Sequence, residues 1–114
     1  LQAGSFKVMQ IDATRVAGPQ EIVLEYLLAK KFGVKVCPHA GGVGLCEAIS
    51  QLAMFDYVSV SGEMEDRVVE YVDNQHEYFV HPTVIKNGRY VAPLAPGNGT
   101  EMKLDECMKY LHKD

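Results

Sequence analysis

Residues 37–47, Cys-Pro-His-Ala-Gly-Gly-Val-Gly-Leu-Cys-Glu, leave the surrounding chain few ways to fold. Ahead of them lies a short apolar run, Val34-Lys35-Val36-Cys37, of the kind that suits a buried parallel strand. Behind them, apolar residues recur at Leu45, Ala48, Ile49, Leu52, Ala53 and Phe55, a spacing that predicts a helix. A strand therefore ends at Pro38, His39 follows at its carboxyl end, and a glycine-rich turn opens the helix. In α/β folds, ligands and chemistry collect at the carboxyl ends of strands, where connecting loops are free to vary. His39 is thus the first residue to question, against the plainer reading of a histidine that caps its strand.

The preceding stretch repeats the pattern. Phe6-Lys7-Val8-Met9-Gln10-Ile11-Asp12 reads as a strand closing on Asp12, with a polar loop to Gly18. Pro19 suits a first helical turn and Glu21 the positive end of the helix dipole. Ile22, Leu24, Leu27, Leu28 and Phe32 supply the expected apolar face, and Gly33 stops the helix. Leu1-Gln2-Ala3-Gly4 reads as the last turn of an earlier helix. Strand, helix, strand, helix is the βαβ pattern, which implies a parallel sheet with right-handed crossovers.

Farther along, Tyr57-Val58-Ser59-Val60-Ser61 alternates like a strand, but Arg67-Val68-Val69-Glu70-Tyr71-Val72 is the preferred third parallel strand. Asn87-Gly88 between Thr83-Val84-Ile85-Lys86 and Arg89-Tyr90-Val91-Ala92 predicts a hairpin, because Asn-Gly supplies the positive φ angles of a tight turn. Pro93, Pro96, Gly97 and Gly99 mark a loop, and residues 103–111 a short closing helix. Three parallel strands make an incomplete object, since parallel sheets are covered on both faces and an open edge invites association. The expectation is the C-terminal part of something larger.

Composition narrows the partners. At 114 residues the chain is one domain at most, and its net charge of −4 with no basic run argues against nucleic acid or an anionic membrane surface. No apolar stretch is long enough to span a bilayer, and the start lacks a signal-peptide pattern. Cys37, Cys46 and Cys107 are odd in number and widely spaced, as expected of reduced intracellular thiols, so a cytoplasmic location is expected.

Asp12 and His39 occupy corresponding places in successive βα units. Neighbouring strands lie about 4.8 Å apart, so the carboxylate of one can reach the imidazole of the next. A carboxylate on one ring nitrogen fixes the tautomer and raises basicity, leaving the other nitrogen to take a proton from substrate. Glu70 would add a third polar group at the following strand end. All three are also residue types that stabilise loops. Gly41-Gly42-Val43-Gly44 leads into a helix N-terminus, either as an anion cradle or as a tight turn. It matches neither the dinucleotide fingerprint nor the P-loop. Cys37, His39 and Cys46 fit no common zinc spacing.

Three stretches together resemble a known family: Gln10-Ile11-Asp12-Ala13-Thr14-Arg15, then residues 36–47, then Glu70-Tyr71-Val72-Asp73. They look like the enolase superfamily, and within its mandelate racemase-like subgroup the L-fuconate and L-galactonate dehydratases. The likeness runs from about Leu1 to Glu101 and includes the Pro93 to Gly97 loop. It implies a (β/α)8 TIM barrel with a capping domain, this chain holding strands six to eight in residues 1–80 and a C-terminal extension in residues 81–114. It implies that Asp12 and His39 form the family's catalytic dyad and that Glu70, or alternatively Glu63, contacts the substrate carboxylate. The family reaction removes the proton α to a sugar-acid carboxylate, with Mg2+ stabilising the product of that step, and loss of the β-hydroxyl gives a 2-keto-3-deoxy acid. The Mg2+ ligands would lie upstream, as would the paired lysines. The implied partners are a small sugar acid and the remainder of the barrel, with self-association left open. After Gly18 the family usually has Val-Asn-Glu-Asn, whereas this chain has Pro19-Gln20-Glu21-Ile22. A non-catalytic segment that persists by pairing with another chain is the alternative.

Overall fold

The computed structural model describes residues 1–112. Two βα units come first: β1 (Val8–Met9), α1 (Pro19–Lys31), β2 (Lys35–Val36) and α2 (Leu45–Phe55). A π-helical stretch (Asp56–Ser61) prolongs α2, and a single 3-10 turn (His76–Tyr78) follows a long irregular segment. The hairpin β3 (Ile85–Lys86) and β4 (Arg89–Tyr90) and the short helix α3 (Leu104–Met108) complete the order. No described helix is long and apolar enough to cross a membrane.

β1 and β2 pair in parallel, Val8 opposite Lys35 and Met9 opposite Val36. The pairing outruns these short strands. Backbone N–H groups of Lys35, Cys37 and His39 donate to the carbonyls of Lys7, Met9 and Ile11 at 3.3, 3.0 and 2.8 Å. The ladder thus carries His39 to the level of Ile11, one residue short of Asp12. Ile11, Ile22, Tyr26, Ala29, Val36 and Val60 form the core beneath it. A second cluster, Ala40, Leu45, Cys46 and Ile49, seats the start of α2.

Several expectations are corrected. Residues 67–72 form no strand: one backbone bond, from Glu70 N–H to the Pro38 carbonyl at 3.2 Å, joins them to the second strand. Carbonyls that would continue a ladder are captured by side chains instead. Tyr90 donates its hydroxyl to the Glu70 carbonyl at 2.6 Å, and the Val72 carbonyl lies 2.9 Å from His76 Nε2. Residues 57–61, which alternate like a strand, continue the helix; Val60 enters the core, and Lys30 Nζ donates to its carbonyl. Finally, α1 buries Ile22, Tyr26 and Ala29, whereas Leu24 and Leu27 of its expected apolar face are half exposed.

The predicted hairpin is present, with Ile85 opposite Tyr90 and Asn87 and Gly88 both at positive φ. Unforeseen was an antiparallel bridge between Phe79 and Met102. Val80 N–H donates to Glu101 O at 2.9 Å and Lys103 N–H to Tyr78 O at 2.8 Å, tying the chain's last part back to the 3-10 turn. The closing helix is shorter than expected, and Leu1 to Gly4 form a turn closed by the Gly4 N–H on the Leu1 carbonyl.

Candidate functional site

The parallel ladder and the Glu70–Pro38 bond bring Asp12, His39 and Glu70 together. His39 Nδ1 lies 3.2 Å from Asp12 Oδ2, and His39 Nε2 lies 3.7 Å from Glu70 Oε2. The imidazole is about one-third exposed (31%), Glu70 likewise (32%), and Asp12 less (17%). His39 therefore stands between two carboxyl groups with its ring open to a ligand. Its Nδ1 is buried and close to Asp12, but the contact is not aligned as a hydrogen bond.

Asp12 is held in place by its own loop. Its Oδ1 accepts the Thr14 amide at 2.9 Å and the Thr14 hydroxyl at 2.7 Å, the local pattern by which an Asp organises a turn. Its Oδ2 accepts Arg15 Nε at 2.9 Å. The Thr14 hydroxyl, aided by the Thr14 amide, Arg15 and His39, holds the Asp12 carboxyl below the ordinary carboxylate range against the opposing effect of burial. Asp12 thus presents a fixed negative charge to the imidazole.

Glu70 is fixed as firmly. Its Oε2 accepts the Ala40 N–H at 2.7 Å and Gln10 Nε2 at 3.3 Å. Glu63 stands elsewhere, 64% exposed with Arg67 Nη2 3.5 Å away. Geometry therefore places Glu70, not Glu63, beside His39.

The glycine-rich turn serves the imidazole by leaving it room. A Cβ added at Gly41 would sit 2.7 Å from His39 Nε2, closer than a Cβ carbon approaches a neighbouring atom. Gly44 enters α2 at φ 76°, with Phe79 close enough to meet an added Cβ at 3.1 Å. The three cysteines are free thiols, and burial pushes the Cys37 thiol up. Among the described residues no group of three or more His, Cys, Asp or Glu could hold a metal ion.

One buried pair escaped the sequence reading. Glu47, in the first turn of α2, lies 2.6 Å from His76 Nδ1 through Oε1, which also accepts the Thr83 N–H at 3.0 Å. Tyr71 stacks on the His76 ring at 5.6 Å. An acidic residue in a helix's first turn hinted at Glu47, but nothing local marks His76. Gln10, Thr14 and Arg15 fall within the motif around Asp12, yet only Thr14, two residues after an Asp, carried a local signal.

A profile of the Enolase C-terminal domain-like family matches residues 1–106. The chain is 47% identical over 114 residues to Mitochondrial enolase superfamily member 1 of Homo sapiens, covering all of this chain and 26% of that protein. It is 46% identical over 110 residues to L-galactonate dehydratase of Hypocrea jecorina, covering 96% of this chain and 24% of that protein. The crystal structure of human Mitochondrial enolase superfamily member 1 superposes with a TM-score of 0.86 at 49% identity, over 91% of this chain and 24% of that one. The chain thus spans about a quarter of the length of the relatives it matches.

Proposed function

The chain belongs to the enolase C-terminal domain-like family and forms the C-terminal part of its TIM barrel, and from that premise we propose that it carries the proton-transfer group of an acid-sugar dehydratase. The observation that carries this reading is the row Asp12, His39, Glu70, with His39 3.2 Å from the Asp12 carboxyl and 3.7 Å from that of Glu70. The similarity to an L-galactonate dehydratase supports the substrate class, a six-carbon sugar acid of the L-galactonate or L-fuconate type.

In this reading Asp12 orients the imidazole through Nδ1, and Nε2 faces the substrate. A general base must lie within hydrogen-bond reach of the proton it removes, and the imidazole, about one-third exposed, is open to such a contact. Nε2 takes the proton α to the carboxylate. The electron pair of the broken C–H bond forms the C2–C3 double bond as the β-hydroxyl departs, and the imidazolium returns a proton so that it leaves as water. The enol then tautomerises to the 2-keto-3-deoxy acid. Glu70 contacts the substrate carboxylate through a carboxyl O–H, the form that can donate to it, since two ionised carboxylates would repel.

Mg2+, which the family uses to offset charge on the substrate, finds no holder among the described residues. Asp12 is already committed to Thr14, Arg15 and His39. The remainder of the barrel is the partner this segment requires for the whole reaction.

The test is direct. Full-length enzyme carrying this segment is incubated with L-galactonate and L-fuconate, and 2-keto-3-deoxy acid is assayed, with His39→Asn as control. Keto acid from one of these substrates and not from the control is the expected result. Absence of product from both, or equal product from the control, overturns the reading.

A further inference from the structure

Resting on that proposed reaction, we propose that Gln10 is a positioning residue that, with the Ala40 amide, locks the Glu70 carboxyl for its contact with the substrate carboxylate. Both donors converge on a single oxygen: Ala40 N–H reaches Glu70 Oε2 at 2.7 Å and Gln10 Nε2 reaches it at 3.3 Å. Among the described residues no hydrogen-bond donor is seen on Oε1, which leaves that oxygen for a ligand.

The link is long in sequence and short in space. Gln10 stands on the first strand of the ladder, and Glu70 comes 60 residues later on the segment bonded to the second strand at Pro38. The Gln10 and Glu70 side chains therefore meet over the second strand, whose chain supplies the Ala40 N–H to the same oxygen, at the end that carries His39. The terminal torsion of a glutamate is broad and nearly two-fold, so a free carboxyl samples many orientations. Two donors on one oxygen remove that freedom. An amide suits the task because it donates without adding charge beside His39 Nε2, which is 3.7 Å from the same oxygen.

The test uses full-length enzyme with L-galactonate as the probe. Gln10→Ala should lower kcat/KM on the order of tenfold, mainly through KM, because a carboxyl that binds the substrate in its ground and transition states acts on both. Gln10→Glu keeps the size but puts a carboxylate against Oε2, and should lose at least as much. In a Glu70→Gln background the Gln10→Ala effect should vanish, since the two residues act as one unit. Near-wild-type kinetics in Gln10→Glu, or full additivity with Glu70→Gln, overturns the inference while leaving the dehydratase reading intact. A measurement independent of turnover decides the link if no substrate is processed. The Glu70 carboxyl stretch, identified by infrared difference against Glu70→Gln, should shift in Gln10→Ala, and no shift overturns the inference.

Discussion

At the scale of single residues, the imidazole of His39 is bracketed by Asp12 at 3.2 Å and Glu70 at 3.7 Å, and everything nearby limits how it can move. His39→Asn in the full-length enzyme is expected to lower kcat on the order of a thousandfold or more, because the α-proton is very weakly acidic and the substitution removes the base proposed to take it. Exchange of that proton into deuterated water should fall with it, and KM should move less. Asp12→Asn should cost somewhat less, since the imidazole remains but loses its orienting charge. Native-like turnover and exchange in His39→Asn would remove the dyad from the mechanism. Gly41 offers a second test. A methyl group there meets His39 Nε2 at 2.7 Å, and the imidazole is the part able to swing away. Gly41→Ala should therefore reduce kcat well beyond tenfold while the thermal midpoint changes little. A large loss of stability with unchanged kcat would contradict this.

At the scale of elements, the Glu47–His76 pair joins the first turn of α2 to the 3-10 turn. Glu47 is almost fully buried there, with 1% of its side chain exposed. Burial opposes its ionisation, but the Thr83 amide and His76 outweigh that and hold the carboxyl below its ordinary 4.5. Burial likewise opposes a charged His76, but Glu47 and the Val72 carbonyl lift it above its ordinary 6.5. The Glu47 contribution is present above pH 4.5 and is lost as pH falls through its depressed value. The His76 contribution is present below pH 6.5 and is lost as pH rises through its elevated value. Thermal midpoints should therefore be highest between these limits and decline on both sides. In His76→Gln the alkaline decline should disappear and the whole curve should drop, as expected when one partner of a buried pair is removed, by about 3 kcal/mol. An unchanged alkaline limb would assign it to another group.

At the scale of the whole molecule, the radius of gyration is 15.6 Å, against about 13 Å expected for a stand-alone domain of this length. Phe6, just ahead of β1, and Val8 within it are nearly half exposed, and so are Leu24 and Leu27 of α1. Apolar surface of this kind is what a barrel's other strands and helices cover. Produced alone, the 114-residue chain should bind a hydrophobic dye and exchange most of its amides quickly. The ladder amides of Cys37 and His39 should exchange slowest. Expressed together with the upstream three-quarters of the family chain, it should lose the dye signal. Sharp, cooperative unfolding of the isolated chain without dye binding would show that it closes its own core.

The sequence by itself determined what a few neighbouring residues decide among themselves. Asn87-Gly88 set the hairpin because its positive φ angles are a local steric property, and the apolar spacing from Leu45 to Phe55 set α2 over the same residues. The order of βα units placed Asp12 and His39 at the same end of one ladder, since a parallel crossover leaves no other arrangement. The tertiary structure decided the rest. α1 is apolar on more than one side, so packing against Val36 and Val60, not residue type, chose Ile22, Tyr26 and Ala29 as its buried face. Residues 57–61 alternate as a strand would, but a β pattern forms a strand only where a neighbour offers backbone partners, and there the α2 helix simply continued. Residues 67–72 lost their ladder to Tyr90 and His76, donors from 20 and 4 residues away that no local preference could announce. Gln10 found Glu70 across 60 residues for the same reason: which side chain satisfies a given polar atom depends on what the folded chain brings within reach.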